Sequence, residues 1–200
     1  MKVEKARPEI VDKIIQEAGQ RFGVLQAREG VHATDAIYCL RKAYWNKIDP
    51  LPPTKEELMY YLLGLGLQTA LLGGDNQALA KKDGIIISPD YFKDGILAEL
   101  KTTRMSEKRI EELGIPDGWK KQLMAYAYVL GVTSAVIIMI NYISTEIIPR
   151  VLYFDKEELE DNWNSIANRG AILTVALATN RVPEPLNEVW ESKNCRYNLR

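Results

Sequence analysis

The stretch ILAELKTT, Ile96–Thr103, decides the predicted fold. Its apolar and β-branched content predicts a strand, and strand side chains alternate between the two faces of a sheet. Glu99 and Lys101 therefore leave one face, while Leu100 leaves the other. A carboxylate and an ammonium group within an apolar strand are costly to bury unless they have a role. The stretch thus predicts a core strand and a candidate site together.

The segments around this strand predict a mixed α/β domain. Ile85–Ile87 is a second β-rich run, Pro89–Gly95 a turn, and the two runs are expected to pair as a hairpin. Met105–Gly118 is charged and is expected to be irregular. Further strands are predicted at Ala135–Tyr142 and Ile147–Phe154, and helices at Pro8–Phe22, Thr34–Trp45, Thr54–Leu72, Trp119–Leu130 and Asp155–Ala178.

This order of elements predicts one domain over residues 1–200, with a mixed central β-sheet flanked by helices. We expect a helical region over 1–74, the sheet and catalytic core over 83–154, a packing helix over 155–182 and a tail over 183–200.

Composition limits the classes of function. With 26 Lys and Arg against 27 Asp and Glu, the formal net charge is -1, so any nucleic-acid surface has to be local. Two cysteines far apart in the sequence favour a reducing compartment. The longest apolar run, Val132–Ile143, is too short to cross a membrane. We therefore expect a cytoplasmic protein with no membrane partner.

Asp90 precedes Glu99 by nine residues across the predicted turn. If the strands pair, two carboxylates and the carbonyl of Leu100 would suit a hard cation such as Mg²⁺ or Mn²⁺. Lys101 would then lie beside the attacking water or the scissile phosphate, which indicates metal-assisted phosphodiester hydrolysis. The alternative is an exposed strand with an ordinary Glu–Lys pair.

A helix downstream supplies a second polar group. Gln122 and Tyr126 are four residues apart and share a helical face. They can hydrogen-bond a water, a lysine or a phosphate, whereas the alternative is an amphipathic helix with a polar end. Local positive charge, and hence DNA contact, is expected at Lys120, Lys121 and Arg104.

In this order, Asp90, Glu99-Leu100-Lys101 and Gln122-x-x-x-Tyr126 resemble the RecB-type branch of the PD-(D/E)XK nuclease superfamily. The stretch AIYCLRKAYW, Ala36–Trp45, is similar to the N-terminal cysteine motif of the CRISPR-associated "Cas-four" nucleases and their viral relatives.

The resemblance implies a restriction-endonuclease-like core and a Mg- or Mn-dependent DNA nuclease that acts on single-stranded DNA or DNA ends. A homo-oligomer, or a protein partner of the recombination or CRISPR type, is compatible with the resemblance. If the protein is viral, the expected location is the cytoplasm of the host cell.

Two departures from the family pattern matter. Gln68 stands where the family has a histidine that helps to bind metal, so it would be a weaker, neutral ligand. In the narrower group, four cysteines hold an iron–sulfur cluster. Only two of them have counterparts in this sequence, Cys39 and Cys195, and Ser192 stands in the position of another. A cluster ordinarily needs four thiolates. We therefore expect no cluster and a loosely held tail, with a degenerate cluster site as the competing view.

These departures keep a second function open, that of a non-catalytic DNA-binding or assembly subunit that retains the nuclease fold. The missing histidine and cysteines favour it, while the intact Asp–Glu–Lys set opposes it.

Overall fold

The computed structural model describes residues 8–23, 28–73, 79–185 and 195–197. Groups of helices and groups of strands follow one another along the chain, and the α/β class is as the sequence predicts. The helices are α1 Pro8–Arg21, α2 Ala33–Ile37, α3 Leu40–Ile48, α4 Lys55–Leu72, α5 Glu107–Leu113, α6 Asp117–Leu130 and α7 Lys156–Thr179. The strands are β1 Val31–His32, β2 Ala80–Lys82, β3 Ile85–Ile87, β4 Tyr91–Lys93, β5 Ile96–Thr103, β6 Ser134–Asn141 and β7 Ile147–Tyr153.

The strands form two mixed sheets. The large sheet has the order β4-β5-β6-β7, and its central pair, β5 and β6, is parallel. The small sheet has the order β1-β3-β2, with β1 parallel and β2 antiparallel to β3. The helices α6 and α7 share one hydrophobic core with both sheets. Trp163 of α7 is buried, and its indole N–H donates to Asp83 Oδ2 at 2.7 Å in the turn between β2 and β3.

The predicted hairpin between Ile85–Ile87 and Ile96–Thr103 is wrong. β3 lies in the small sheet, and the hairpin partner of β5 is β4, a strand inside the segment expected to be a turn. Asp94 and Gly95 form the two-residue connection, with φ of 52° and 76°. Such paired positive φ values suit tight hairpins, and an Asp-Gly pair adopts them readily.

One local prediction near the helices also fails. The helix expected over Thr34–Trp45 is interrupted at Cys39, which caps α3 in an extended conformation. The break leaves carbonyl groups at the end of α2, and Arg169 of α7 donates to those of Ala36 and Tyr38. His32, just before α2, lies in β1 and is buried.

The segment Met105–Gly118, expected to be irregular, contains α5. Ser106 caps this helix, because its hydroxyl accepts a hydrogen bond from the backbone N–H of Arg109 at 3.3 Å. This N-cap satisfies a donor that the first helical turn leaves unpaired.

The described part of the tail is held firmly, against expectation. Tyr197 is buried; its hydroxyl donates to Asn46 Oδ1 at 2.8 Å and accepts from the Leu51 N–H at 2.8 Å. Arg196 donates to Glu57 Oε2 at 2.9 Å. Ser192 lies outside the described residues.

No helix within the described ranges is both long and apolar enough to cross a membrane.

The contact between α7 and the small sheet gives a test of the fold. A Cβ added at Gly170 would lie 2.6 Å from Ile85 Cδ1, whereas one added at Gly66 in α4 meets nothing within 4 Å. We expect Gly170→Ala to lower the free energy of unfolding by about 1–3 kcal/mol through overpacking. Gly66→Ala should raise it by up to about 1 kcal/mol through helix propensity. Urea denaturation of both variants measures the difference, and effects of equal sign would contradict this packing.

Candidate functional site

The β4–β5 hairpin places Asp90 beside Glu99. Tyr91 pairs with Ala98, so the preceding residue, Asp90, comes opposite Glu99. The Asp90 N–H lies 3.4 Å from Glu99 Oε2, and the Leu100 N–H donates to Asp90 Oδ2 at 2.8 Å. The structure therefore brings together the two carboxylates that the sequence analysis singled out, although through a different hairpin.

Pro89 ends the strand ladder at this point. In the continued register Pro89 lies opposite Leu100, and proline has no N–H to donate. The N–H and carbonyl of one strand residue serve the same neighbouring strand, so the Leu100 carbonyl faces the Asp90 side. Pro89, opposite Leu100, therefore provides no backbone donor for the Leu100 carbonyl. An oxygen ligand is thus available beside the two carboxylates.

Glu99 is the buried centre of the site, with 4% of its surface exposed. Its Oε1 accepts from Lys101 Nζ at 2.8 Å and from Gln122 Nε2 at 2.8 Å. Lys101 also donates to Gln122 Oε1 at 2.9 Å, and Gln122 Nε2 lies 2.8 Å from the Tyr126 hydroxyl oxygen. The polar face of α6 therefore meets the Glu99–Lys101 face of β5, as one hydrogen-bonded network.

Gln68 reaches the site from α4. Its Nε2 donates to Asp90 Oδ1 at 2.8 Å. One turn earlier, α4 passes β5 at Gly64, where a Cβ would make an ordinary van der Waals contact of 3.9 Å with Thr102 Oγ1. The structure thus places Gln68 beside Asp90.

Burial and the neighbouring charge shift two titrating groups. Burial, and secondly the negative charge of Glu99, raise the pKa of Asp90 to about 7, while the Leu100 N–H and Lys101 oppose the shift. Burial and the charge of Glu99 likewise raise the pKa of Tyr126 above its ordinary value, so its hydroxyl stays protonated.

The donor set fits a hard divalent cation. Asp90 and Glu99 offer carboxylate oxygens, and Leu100 offers a carbonyl oxygen. Rotation of the Gln68 side-chain amide by 180° would place its Oε1, instead of Nε2, on the side of Asp90. Oxygen ligands of this kind suit Mg²⁺ and Mn²⁺. Among the described residues no three His, Cys, Asp or Glu side chains group as metal ligands. A cation here would therefore depend on backbone and amide oxygens in addition to the two carboxylates.

The expected DNA contacts divide into two groups. Lys120 forms an ion pair with Asp117 at 2.6 Å. Because Lys120 comes two residues before Gln122, it projects from the opposite side of α6. Lys121 is also off the Gln122 face, and its carbonyl accepts from Asn162 of α7 at 3.0 Å. These two lysines are therefore not directed at the Glu99 network, because the helical period turns them away. Arg104 is different, since it directly follows β5 and is exposed.

The two cysteines line one cavity of about 450 Å³, together with Arg28, Lys42 and Tyr61. Cys39 is buried, Cys195 is half-buried, and both are free thiols. Folding brings the distant ends of the sequence together at this cavity. The sequence has no further cysteine, however, so the thiolate count remains at two.

Three contributors to the site region were not singled out from the sequence. Pro89 was assigned to a turn, although the Pro89-Asp90 pair marks the end of the ladder. Tyr60 and Tyr142 contact Arg104. The four-residue spacing from Tyr60 to Gly64 to Gln68 was a usable signal for the first tyrosine, because it puts all three on one helical stripe.

The fold is similar to the crystal structure of a protein named SSO0001, with a TM-score of 0.59, 17% sequence identity and 93% of each chain covered. At this identity the similarity concerns the fold alone. No family model matches the sequence, and no curated protein matches it.

The raised pKa of Asp90 predicts how stability depends on pH without metal. Between about pH 4 and 7 the folded protein holds a proton that the unfolded chain, with an ordinary pKa of 3.8, has lost. The free energy of unfolding should therefore fall as the pH rises through this window. Asp90→Asn should be more stable than the wild type at pH 8 by on the order of 1–3 kcal/mol, and by much less at pH 5. Denaturation in EDTA at both pH values measures this, with Asp161→Asn on exposed α7 surface as the control. A pH-independent difference would contradict the assignment.

The thiolate count predicts a colourless protein. Anaerobic purification should give no visible absorbance above the protein band and no stoichiometric iron. Cys39→Ala should cost only a packing increment, about 0.5–3 kcal/mol. A brown preparation that loses its colour in Cys39→Ala would overturn this prediction.

Proposed function

We propose that this protein is a divalent-metal-dependent DNA nuclease of the RecB-type PD-(D/E)XK kind, with a restriction-endonuclease-like core. The observation that supports the proposal is the convergence of Asp90, Glu99 and Lys101 where Pro89 ends the β4–β5 ladder. Carboxylates and a lysine held in one network beside a carbonyl oxygen are what phosphodiester hydrolysis with a metal requires.

Asp90, Glu99, the Leu100 carbonyl and Gln68 would hold Mg²⁺ or Mn²⁺. The ion would supply a Lewis acid that polarises the phosphate and acidifies a water. The ammonium group of Lys101, whose side chain is 19% exposed, would stabilise negative charge that develops on the phosphate. Gln122 and Tyr126 are positioning residues, because Gln122 holds both Lys101 and Glu99 and is itself bonded to Tyr126.

We infer single-stranded DNA or DNA ends as the substrate and the cytoplasm as the location. The net charge of -1 restricts phosphate contacts to local groups, and Arg104, three residues beyond Lys101, is one such group. A homo-oligomer, or a partner of the recombination or CRISPR type, belongs to the same proposal.

A second function is favoured by one specific observation. The carboxylates are already satisfied within the protein, Asp90 by Gln68 and Leu100, and Glu99 by Lys101 and Gln122. A network with its own internal partners is compatible with a non-catalytic DNA-binding or assembly subunit that retains the nuclease fold.

Two substitutions separate metal binding from chemistry. Glu99→Gln should lose Mn²⁺ binding in calorimetry and also lose cleavage, because the amide removes a charged ligand. Lys101→Ala should keep Mn²⁺ binding but lose turnover by about 10² to 10³. Cleavage of end-labelled single- and double-stranded DNA is the activity measurement, and Glu112→Gln, on the exposed surface of α5, is the matched control.

Undiminished cleavage by Glu99→Gln would contradict the nuclease proposal. DNA binding by the wild type without Mn²⁺ binding or cleavage would establish the non-catalytic alternative instead.

A further inference from the structure

Next to the site, two tyrosines flank an exposed arginine. We call Tyr60, Arg104 and Tyr142 the tyrosine–arginine cluster. The guanidinium carbon of Arg104 lies 5.4 Å from the ring centroid of Tyr60 and 5.7 Å from that of Tyr142. The ring centroids are 6.2 Å apart and the rings are tilted by 55°. Arg104 also donates to both hydroxyls. With 37% of Tyr60 exposed, the cluster offers aromatic surface and a cation to the solvent.

The cluster is held in place by its own supports. The Tyr142 N–H donates to the Thr103 carbonyl at 3.2 Å, which fixes this tyrosine to the end of β5. Asn141 Oδ1 accepts from the Ile143 N–H at 2.9 Å and so shapes the turn that follows. The Tyr60 hydroxyl donates to Glu56 at 3.1 Å. Contacts within the protein therefore support both tyrosines.

The helix α4 sets the distance between the cluster and the candidate site. Tyr60, Gly64 and Gln68 lie on one stripe; Gln68 contacts Asp90, and Gly64 passes Thr102. Eight residues of helix span about 12 Å. Tyr60 of the cluster and the Gln68 that contacts Asp90 are therefore separated by a distance that a short stretch of strand can cover.

Exposed aromatic rings beside a cation suit unpaired bases. Bases stack on aromatic side chains with little sequence preference, and arginine adds cation–π and phosphate contacts. The bases of an intact duplex are stacked within it and do not offer their faces. Glu56 repels phosphate near the Tyr60 hydroxyl, which leaves the ring faces as the contact surface.

We propose that the tyrosine–arginine cluster is a binding site for the unpaired bases of single-stranded DNA, and that it holds a strand whose backbone continues to Asp90, Glu99 and Lys101. The part concerning the continuing backbone rests on the proposed nuclease function. The cluster would then give the protein its preference for single strands over blunt duplexes.

The experiment compares two probes in EDTA, which prevents metal-dependent cleavage. One is a fluorescent oligothymidine strand, and the other is an abasic strand of equal length, which has the phosphates but no bases. The wild type should bind oligothymidine more tightly by fluorescence anisotropy. The Tyr60→Ala/Tyr142→Ala variant should lose about 5- to 100-fold in affinity for oligothymidine, with little change for the abasic strand.

Matched variants separate stacking from a purely structural clamp. Tyr60→Phe/Tyr142→Phe keeps the rings but removes the hydroxyls bonded to Arg104, so it should bind oligothymidine like the wild type. If the tyrosines served only to hold Arg104 through their hydroxyls, both double variants would lose affinity for oligothymidine. Tyr153→Ala, which removes a tyrosine that is 81% exposed on β7, is the control and should change neither affinity.

A crosslink in the wild type tests the site without any substitution. A strand carrying 5-iododeoxyuridine should form a photoadduct on Tyr60 or Tyr142, located by mass spectrometry. Adducts confined to other residues, or equal affinity for the two probes, would overturn the proposal.

The nuclease assay keeps the two proposals apart. Cleavage in Mn²⁺ without base-dependent binding overturns the cluster site and leaves the nuclease intact. Base-dependent binding that the alanine pair abolishes, without cleavage, supports the cluster site and overturns the nuclease.

Discussion

The burial of the Glu99 carboxylate is the constraint on which the rest of the site depends. A carboxylate in the middle of a sheet needs hydrogen-bond donors, because desolvation without them is costly. Lys101 comes from the same strand face, Gln122 from α6 and the Asp90 N–H from the hairpin. The Gln122 and Asp90 donors therefore fix the positions of α6 and of the hairpin relative to β5. The candidate site and the fold share these contacts, so this part of the molecule has little freedom to be arranged otherwise.

Features that follow from local rules could be predicted from the sequence. The alternation of strand side chains places Glu99 and Lys101 together, and the helical period does the same for Gln122 and Tyr126. The start of α4 is likewise local, since Thr54 and Glu57 form a capping box there. Each of these rules involves residues close in sequence, and the identity of the candidate site residues therefore followed from short patterns.

Features that depend on distant partners could not be predicted in this way. The break before Cys39 is stabilised by Arg169, more than a hundred residues away, and the assignment of β3 to a second sheet depends on β1. The missed β4 is a different case, since the Asp-Gly pair at Asp94 was a recognisable local signal for a two-residue turn. The register of Asp90 opposite Glu99 follows from that turn, so the juxtaposition had a simpler local cause than the long hairpin assumed for it.

The buried Tyr197 has a consequence for any shortened version of this protein. Its hydroxyl is both donor and acceptor, to Asn46 and from the Leu51 N–H, across about 150 residues of sequence. Without Tyr197, the Asn46 side chain in α3 and the Leu51 N–H in the α3–α4 connection would lose this partner. Without Arg196, the side of α4 that carries Glu57 would be uncovered. Since α4 also carries Gln68, any change that displaces Arg196 and Tyr197 would disturb the helix that approaches Asp90.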